Sequence, residues 1–182
     1  VVRFAPGDRV TAAHHVPCGT CWACRHGSES MCPQFKATNV DPCGFAELIR
    51  IPQLHVERVA FRLPDGMTCE EASFTEPLAC AVRAVERSQA LPGDRIAVVG
   101  GGGMGLLIAQ ALLARGADAI VLDVAEKRLA LARELGIRTA VNPAANGLRK
   151  TLTDLIDGAG VDGIVLTVVN ARILDDAQHA IR

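Results

Sequence analysis

Hydrophobic and polar positions follow different rhythms on the two sides of residue 78. Beyond Pro92-Gly93-Asp94, short unbroken apolar runs alternate with stretches of helical periodicity. Residues 95–99 read as a buried strand, 104–115 as a helix stopped by Gly116, and 119–123 as the next strand. A helix over 126–135 closes at Gly136, followed by a strand at 138–141 and a helix at 146–156. A fourth strand at 163–168 and a helix at 171–181 complete the pattern. Strands that are continuously apolar, rather than alternating, imply a parallel sheet covered on both faces.

The first 78 residues lack that regularity. Pro and Gly recur every few positions, apolar runs are short and cysteines cluster. Loose alternation at 44–51, ending at Pro52, predicts a strand, and Leu54-His55-Val56-Glu57 predicts another. This half therefore reads as irregular β structure around a loop-rich cysteine segment. Thr68-x-x-Glu71 is a capping box that predicts a short helix over 69–74. Thr75-Glu76-Pro77 marks a second helix start leading into 78–88.

Composition narrows the class. The chain is 49% hydrophobic and 21% charged, enough for a packed core and too apolar for disorder. On length, 182 residues suggest one domain and part of a second. Net charge is −1, which gives no electrostatic case for a nucleic-acid or membrane partner. With five Phe, Trp22 and no Tyr, the core must be aliphatic and base-stacking platforms are scarce. Residues 96–114 carry no charge and approach the ~20 needed to cross a bilayer. The four glycines at 100–103 fit a strand, turn and helix better than one membrane helix. Val1-Val2-Arg3-Phe4 has no targeting pattern, so a reducing cytoplasmic setting is expected, where clustered cysteines read as metal ligands before disulfides.

Two motifs carry chemistry. Gly100, Gly102 and Gly105 satisfy G-x-G-x-x-G, and the run lies between an apolar strand and a helix, as dinucleotide binding requires. Gly100 would make the turn, Gly102 would admit the pyrophosphate, and Gly105 would let helix pack on strand. The amides of Gly103 and Met104, at the positive helix end, would hold phosphate. Asp123 ends the next strand about twenty residues on, where it would accept the adenosine-ribose hydroxyls. A 2′-phosphate would meet that carboxylate with no Arg at Val124 or Ala125, which favours NAD over NADP.

Cys18, Cys21, Cys24 and Cys32 are spaced C-x2-C-x2-C-x7-C. Four thiolates on so short a loop can close a tetrahedron around zinc at ~2.3 Å per bond, with no coordination position left for water. Such a zinc would be structural. Two alternatives stand beside it. Cys32-Pro33 is also a ferredoxin-like ending, although iron–sulfur runs place the fourth Cys after about three residues. A zinc-ribbon adaptor contacting nucleic acid through Arg25 and Lys36 is opposed by the charge balance. Cys43, Cys69 and Cys80 stand apart, and Cys80, flanked by alanines, reads as a small buried residue.

Gly7-Asp8-Arg9-Val10 leads into Pro17-Cys18-Gly19-Thr20-Cys21-Trp22-Ala23-Cys24-Arg25-His26-Gly27. Cys32, Gly44-Phe45-Ala46-Glu47, Glu76-Pro77-Leu78 and the glycine motif follow. In that order the chain resembles the zinc-dependent medium-chain dehydrogenase/reductase (alcohol dehydrogenase) family, nearest its sorbitol, polyol and threonine dehydrogenase-like branch. The resemblance implies an α/β protein: a partial GroES-like β domain with a zinc lobe over 1–78, then an incomplete Rossmann doubly wound parallel sheet over 79–182. It implies reversible NAD-linked oxidation of a small-molecule alcohol or polyol, with zinc and NAD as cofactors and assembly as a homo-oligomer.

By the same resemblance, Cys18, Cys21, Cys24 and Cys32 are structural-zinc ligands, and Gly100 to Gly105 with Asp123 hold the cofactor. Arg128 contacts the same ribose, and Glu76 lies at the catalytic zinc. The chain departs from the family in several places. The Cys and His-Glu elements of the catalytic zinc belong upstream of the Gly-Asp-Arg-Val turn, and here none of His14, His15, His26, His55 or His179 precedes a Glu. Cys43-Gly44 lies downstream of the lobe, and His14 and His15 read as exposed loop residues. Val169 stands where the family often has Gly. The expectation is an internal piece of such an enzyme that binds one zinc tightly and NAD weakly, without turnover by itself.

Overall fold

A computed structural model describes residues 3–42, 44–156, 158 and 160–182. The chain separates into two compact units, Val1–Glu76 and Pro77–Arg182.

In the first unit, strands β1 (Val10–Ala12) and β2 (Ala60–Arg62) pair antiparallel, with Val10 opposite Arg62. The unit also holds four short helices: α1 (Trp22–Arg25), α2 (Pro33–Ala37), α3 (Gln53–Arg58) and α4 (Cys69–Ala72). A 3-10 turn over Glu29–Met31 precedes α2. The capping box forms as read: the Glu71 amide donates to Thr68 Oγ1 at 3.1 Å, and the Thr68 amide donates to Glu71 Oε2 at 2.7 Å.

Two β expectations fail here. The 54–57 segment is helix α3, because Pro52, in extended conformation, offers its carbonyl to the amides of His55 and Val56 at 2.9 and 3.1 Å. Only His55 is fully buried, and Gln53 and Glu57 pair outside at 2.6 Å with helical spacing. Four residues of mixed pattern fit either period. The 44–51 stretch is no strand among the described residues: Asp41 and Arg50 make one isolated bridge, and Phe45 and Leu48 are exposed. Its alternation has neither a partner strand nor a face to bury.

The second unit follows the expected order. It begins within α5 (Thr75–Ser88), whose Ala81 and Val85 point into the core. The remaining elements are β3 (Arg95–Val99), α6 (Gly103–Ala114), β4 (Asp118–Leu122), α7 (Glu126–Glu134) and β5 (Thr139–Val141). Helix α8 (Leu148–Leu155), β6 (Gly163–Leu166) and α9 (Ala171–Gln178) complete it.

The four strands form one parallel sheet in the order β5-β4-β3-β6. Successive crossovers run outward from β3 to β5 and then return to its other side, as in doubly wound sheets. Side-chain alternation divides the core. Ile96, Val98, Ala119 and Val121 face α5, α6 and α7, whereas Ala97, Val99, Ile120 and Leu122 face α8 and α9. Both faces are buried, which explains the continuous apolar runs.

Candidate functional site

The lobe over 18–32 is built from turns that carry their cysteines inward. Among the described residues, the four thiols are the one group of His, Cys, Asp or Glu side chains arranged to hold a metal ion, with ligand atoms all within 4.8 Å of one another. Cys18 and Cys24 Sγ are 3.9 Å apart, and Cys21 and Cys24 Sγ are 3.5 Å apart. A tetrahedron with ~2.3 Å bonds has edges of about 3.8 Å, so the donor set fits one zinc ion. A cluster would place several irons between the same sulfurs and needs a wider cage.

Backbone amides already stabilise negative sulfur. Cys18 Sγ accepts the amides of Thr20 and Cys21 at 3.4 and 3.3 Å, which lower its pKa to about 6. Cys32, fully buried, accepts the Cys18 amide at 3.4 Å, and that bond draws its pKa down. Burial pushes Cys24 up to about 12, so a metal ion bound there has to displace its proton.

The approach to Cys18 is held from both sides. Thr38 Oγ1 accepts the Val16 amide at 2.9 Å, and Thr38 O pairs with His15 Nδ1. From α3, Arg58 donates to the carbonyls of Pro17 and Cys18 at 3.3 and 3.2 Å, and His55 Nε2 lies 3.1 Å from the His14 carbonyl. His55 Nδ1 is buried without a hydrogen-bond partner. Sequence reading missed this clamp, because its partners lie between 22 and 41 positions apart.

In the second unit the glycine turn joins β3 to α6. Gly100 has φ +103°, a conformation that side chains rarely adopt, and a Cβ there would come within 2.2 Å of Thr167 Oγ1. A Cβ on Gly105 would meet the Gly100 carbonyl oxygen at 1.8 Å, so only glycine allows α6 to lie on β3 here. Gly102 caps α6 without a side-chain hydrogen bond, and the first helical residues are Gly103 and Met104. Their amides have no intrahelical acceptor.

Asp123 follows β4 and is buried. Its Oδ2 accepts the Gly101 amide at 2.7 Å and Arg128 Nη1 at 3.1 Å, and its Oδ1 accepts the Ala125 amide at 2.8 Å. Burial alone would raise this carboxyl, but the two amides and the guanidinium outweigh it and hold the pKa below the usual carboxylate range. Oδ1 keeps a lone pair for one further donor.

A cavity of about 380 Å³ opens beside Asp123 and Arg128, lined also by Gly100, Val124, Val168 and Arg172. The structure thus brings Gly100, Asp123 and Arg128 to one cavity at the carboxyl ends of the strands. Asn170 and Arg172 also line it, although nothing in their spacing marks them.

Other candidates stand elsewhere. Glu76 is exposed in the first turn of α5 and does not belong to the cysteine group. Cys80 is exposed rather than buried, as is Cys69: α5 turns Ala81, not Cys80, into its core. His14 is exposed, while His15 is half-buried against Phe35. Cys43 lies outside the described residues. Among those residues, no helix is long and apolar enough to cross a membrane.

Comparisons with known proteins agree with this geometry. The profile for the alcohol dehydrogenase GroES-like domain matches residues 1–65, and the profile described as zinc-binding dehydrogenase matches 103–182. The chain is 32% identical to sorbitol dehydrogenase of Bacillus subtilis, over 100% of this chain and 51% of that protein. It is 35% identical to L-threonine 3-dehydrogenase of Pseudoalteromonas atlantica, over 97% of this chain and 52% of that protein. An alcohol dehydrogenase of E. coli CFT073, solved with the cofactor NADH, superposes with a TM-score of 0.79 at 26% identity, covering 96% of this chain and 51% of that one. The chain spans about half the length of the curated relatives it matches. With two profiles matching its two units in sequence and relatives alike along nearly all of it, the chain belongs to the zinc-dependent medium-chain alcohol dehydrogenase family.

Proposed function

We propose that this chain forms part of a zinc-dependent, NAD-linked oxidoreductase acting on the CH–OH group of an alcohol or polyol. Residues 1–78 carry the zinc lobe of a GroES-like catalytic domain, and 79–182 form the Rossmann cofactor domain. One observation carries the reading: a four-thiol cage of zinc dimensions and a glycine turn at an Asp123-lined cavity occur in the same chain.

Each set of residues has a distinct task. The four cysteines hold a structural zinc, because four sulfurs leave no coordination position for substrate. The amides of Gly103 and Met104, at the N-terminus of α6, receive the pyrophosphate. Asp123 takes a ribose hydroxyl on its remaining lone pair, with Arg128 beside it. The same carboxylate repels a 2′-phosphate, so NAD is the preferred cofactor. Bound NAD+ supplies the hydride acceptor, and the chain supplies its orientation. Glu76 is assigned to the catalytic zinc on the family resemblance alone. The names of the relatives, dehydrogenases of sorbitol and L-threonine, support a small hydroxylated substrate. Free cysteines suit a reducing, cytoplasmic compartment.

Metal analysis and calorimetry test the reading. One zinc and no iron per chain, with NAD+ bound at least about tenfold more tightly than NADP+, is the expected result. The complete gene product should reduce NAD+ with a polyol or a hydroxy amino acid. Iron in the lobe, or NADP+ bound as tightly as NAD+, would refute it.

A further inference from the structure

The ladder between β3 and β6 ends where the chain leaves for the glycine turn. Its last rungs pair Val99 with Leu166, and the Thr167 amide still donates to the Val99 carbonyl at 3.0 Å. Beyond that point the two strands diverge toward opposite crossovers, and no backbone donor of β6 meets the Gly100 carbonyl. The Thr167 side chain stands in this gap. Its Oγ1 is 3.0 Å from the Val99 carbonyl oxygen and 3.2 Å from that of Gly100.

The Gly100 carbonyl is confined on its other side too, since the first turn of α6 lies on it at Gly105. The amides on either side of it are also fixed. Gly100 donates to the Leu122 carbonyl at 2.7 Å, and Gly101 donates to Asp123 Oδ2 at 2.7 Å. Three strands therefore set the entry to the turn, and β6 does so through a side chain. A single hydroxyl donor stands within reach of both carbonyl oxygens. Valine, with the same shape and no donor, would leave both oxygens without it.

We propose that Thr167 is a positioning residue for the pyrophosphate-binding turn. Its hydroxyl extends the sheet by one rung, fixes the Gly100 carbonyl and thereby orients the amides that follow. The proposal rests on the NAD reading above, and the test separates the two.

The full chain is compared with Thr167→Val, Thr167→Ser and, as a control in the core on the other face of the sheet from α8 and α9, Ile137→Ala. Calorimetry with NAD+ and the backbone amide resonances of Gly101 to Met104 are the readouts. Thr167→Val should weaken NAD+ about tenfold and shift those resonances, while Thr167→Ser stays within about twofold with resonances in place. Ile137→Ala should lower the melting temperature and leave both readouts unchanged. Wild-type affinity and unmoved resonances in Thr167→Val would overturn the proposal. So would equal loss in Thr167→Ser, which would assign the effect to the methyl group. If the wild-type chain binds no NAD+, the cofactor reading fails, and the resonances still decide whether the hydroxyl orients the turn.

Discussion

Asp123 keeps its charge inside the fold because two amides and Arg128 converge on it. Its pKa lies below the unfolded value, so ionisation contributes stability that is complete above the ordinary carboxylate pKa of about 3.9. That contribution is lost as pH falls through the lowered folded value. Asp123→Asn should therefore cost about 1–3 kcal/mol at pH 7 and much less in acid, a contrast that denaturant melts at the two pH values would show. The lobe offers a second residue-level test. Cys32 is fully buried and touches the Cys18 amide, so Cys32→Ser should abolish stoichiometric zinc in metal analysis and disorder the segment that follows Cys18.

Elements were legible in proportion to how much they carry their own signal. Strands β3 and β4 are continuous apolar runs, and the helices after them end at Gly116 and Gly136, so each boundary falls within a residue or two of its expected place. The cysteine spacing and the glycine turn were readable for the same reason, because their chemistry is local. What escaped was long-range. Helix α3 hides in a four-residue pattern of either period, and its grip on Pro17 and Cys18 joins positions that no window spans. Thr167 carries no motif, and its role exists only once β6 lies beside β3. The contact of α6 with β3 gives the sharpest element-level prediction. Gly105→Ala places a methyl group against the Gly100 carbonyl and should cost at least about 1–3 kcal/mol while weakening NAD+, measured by thermal melting and calorimetry.

At the level of the molecule, the two units have separate sources of order. The first has a two-stranded sheet, short helices and a metal cage; the second has a sheet packed on both faces. Removing zinc with a chelator should therefore release hydrogen-exchange protection around 18–32 and leave residues 95–166 protected. Residues 75–182, expressed alone, should fold and bind NAD+ with no more than about a threefold change.

The strand order β5-β4-β3-β6 has a consequence during synthesis. On the ribosome, β3, β4 and β5 emerge first and can pair at once. The other edge of β3 finds its partner only when β6 appears, more than sixty residues later. Until then this central strand of the sheet presents a bare row of amides and carbonyls next to Ala97 and Val99, a template for mispairing between nascent chains. Stalling translation while β6 is still inside the exit tunnel should raise aggregation, and stalling once β6 has emerged should not.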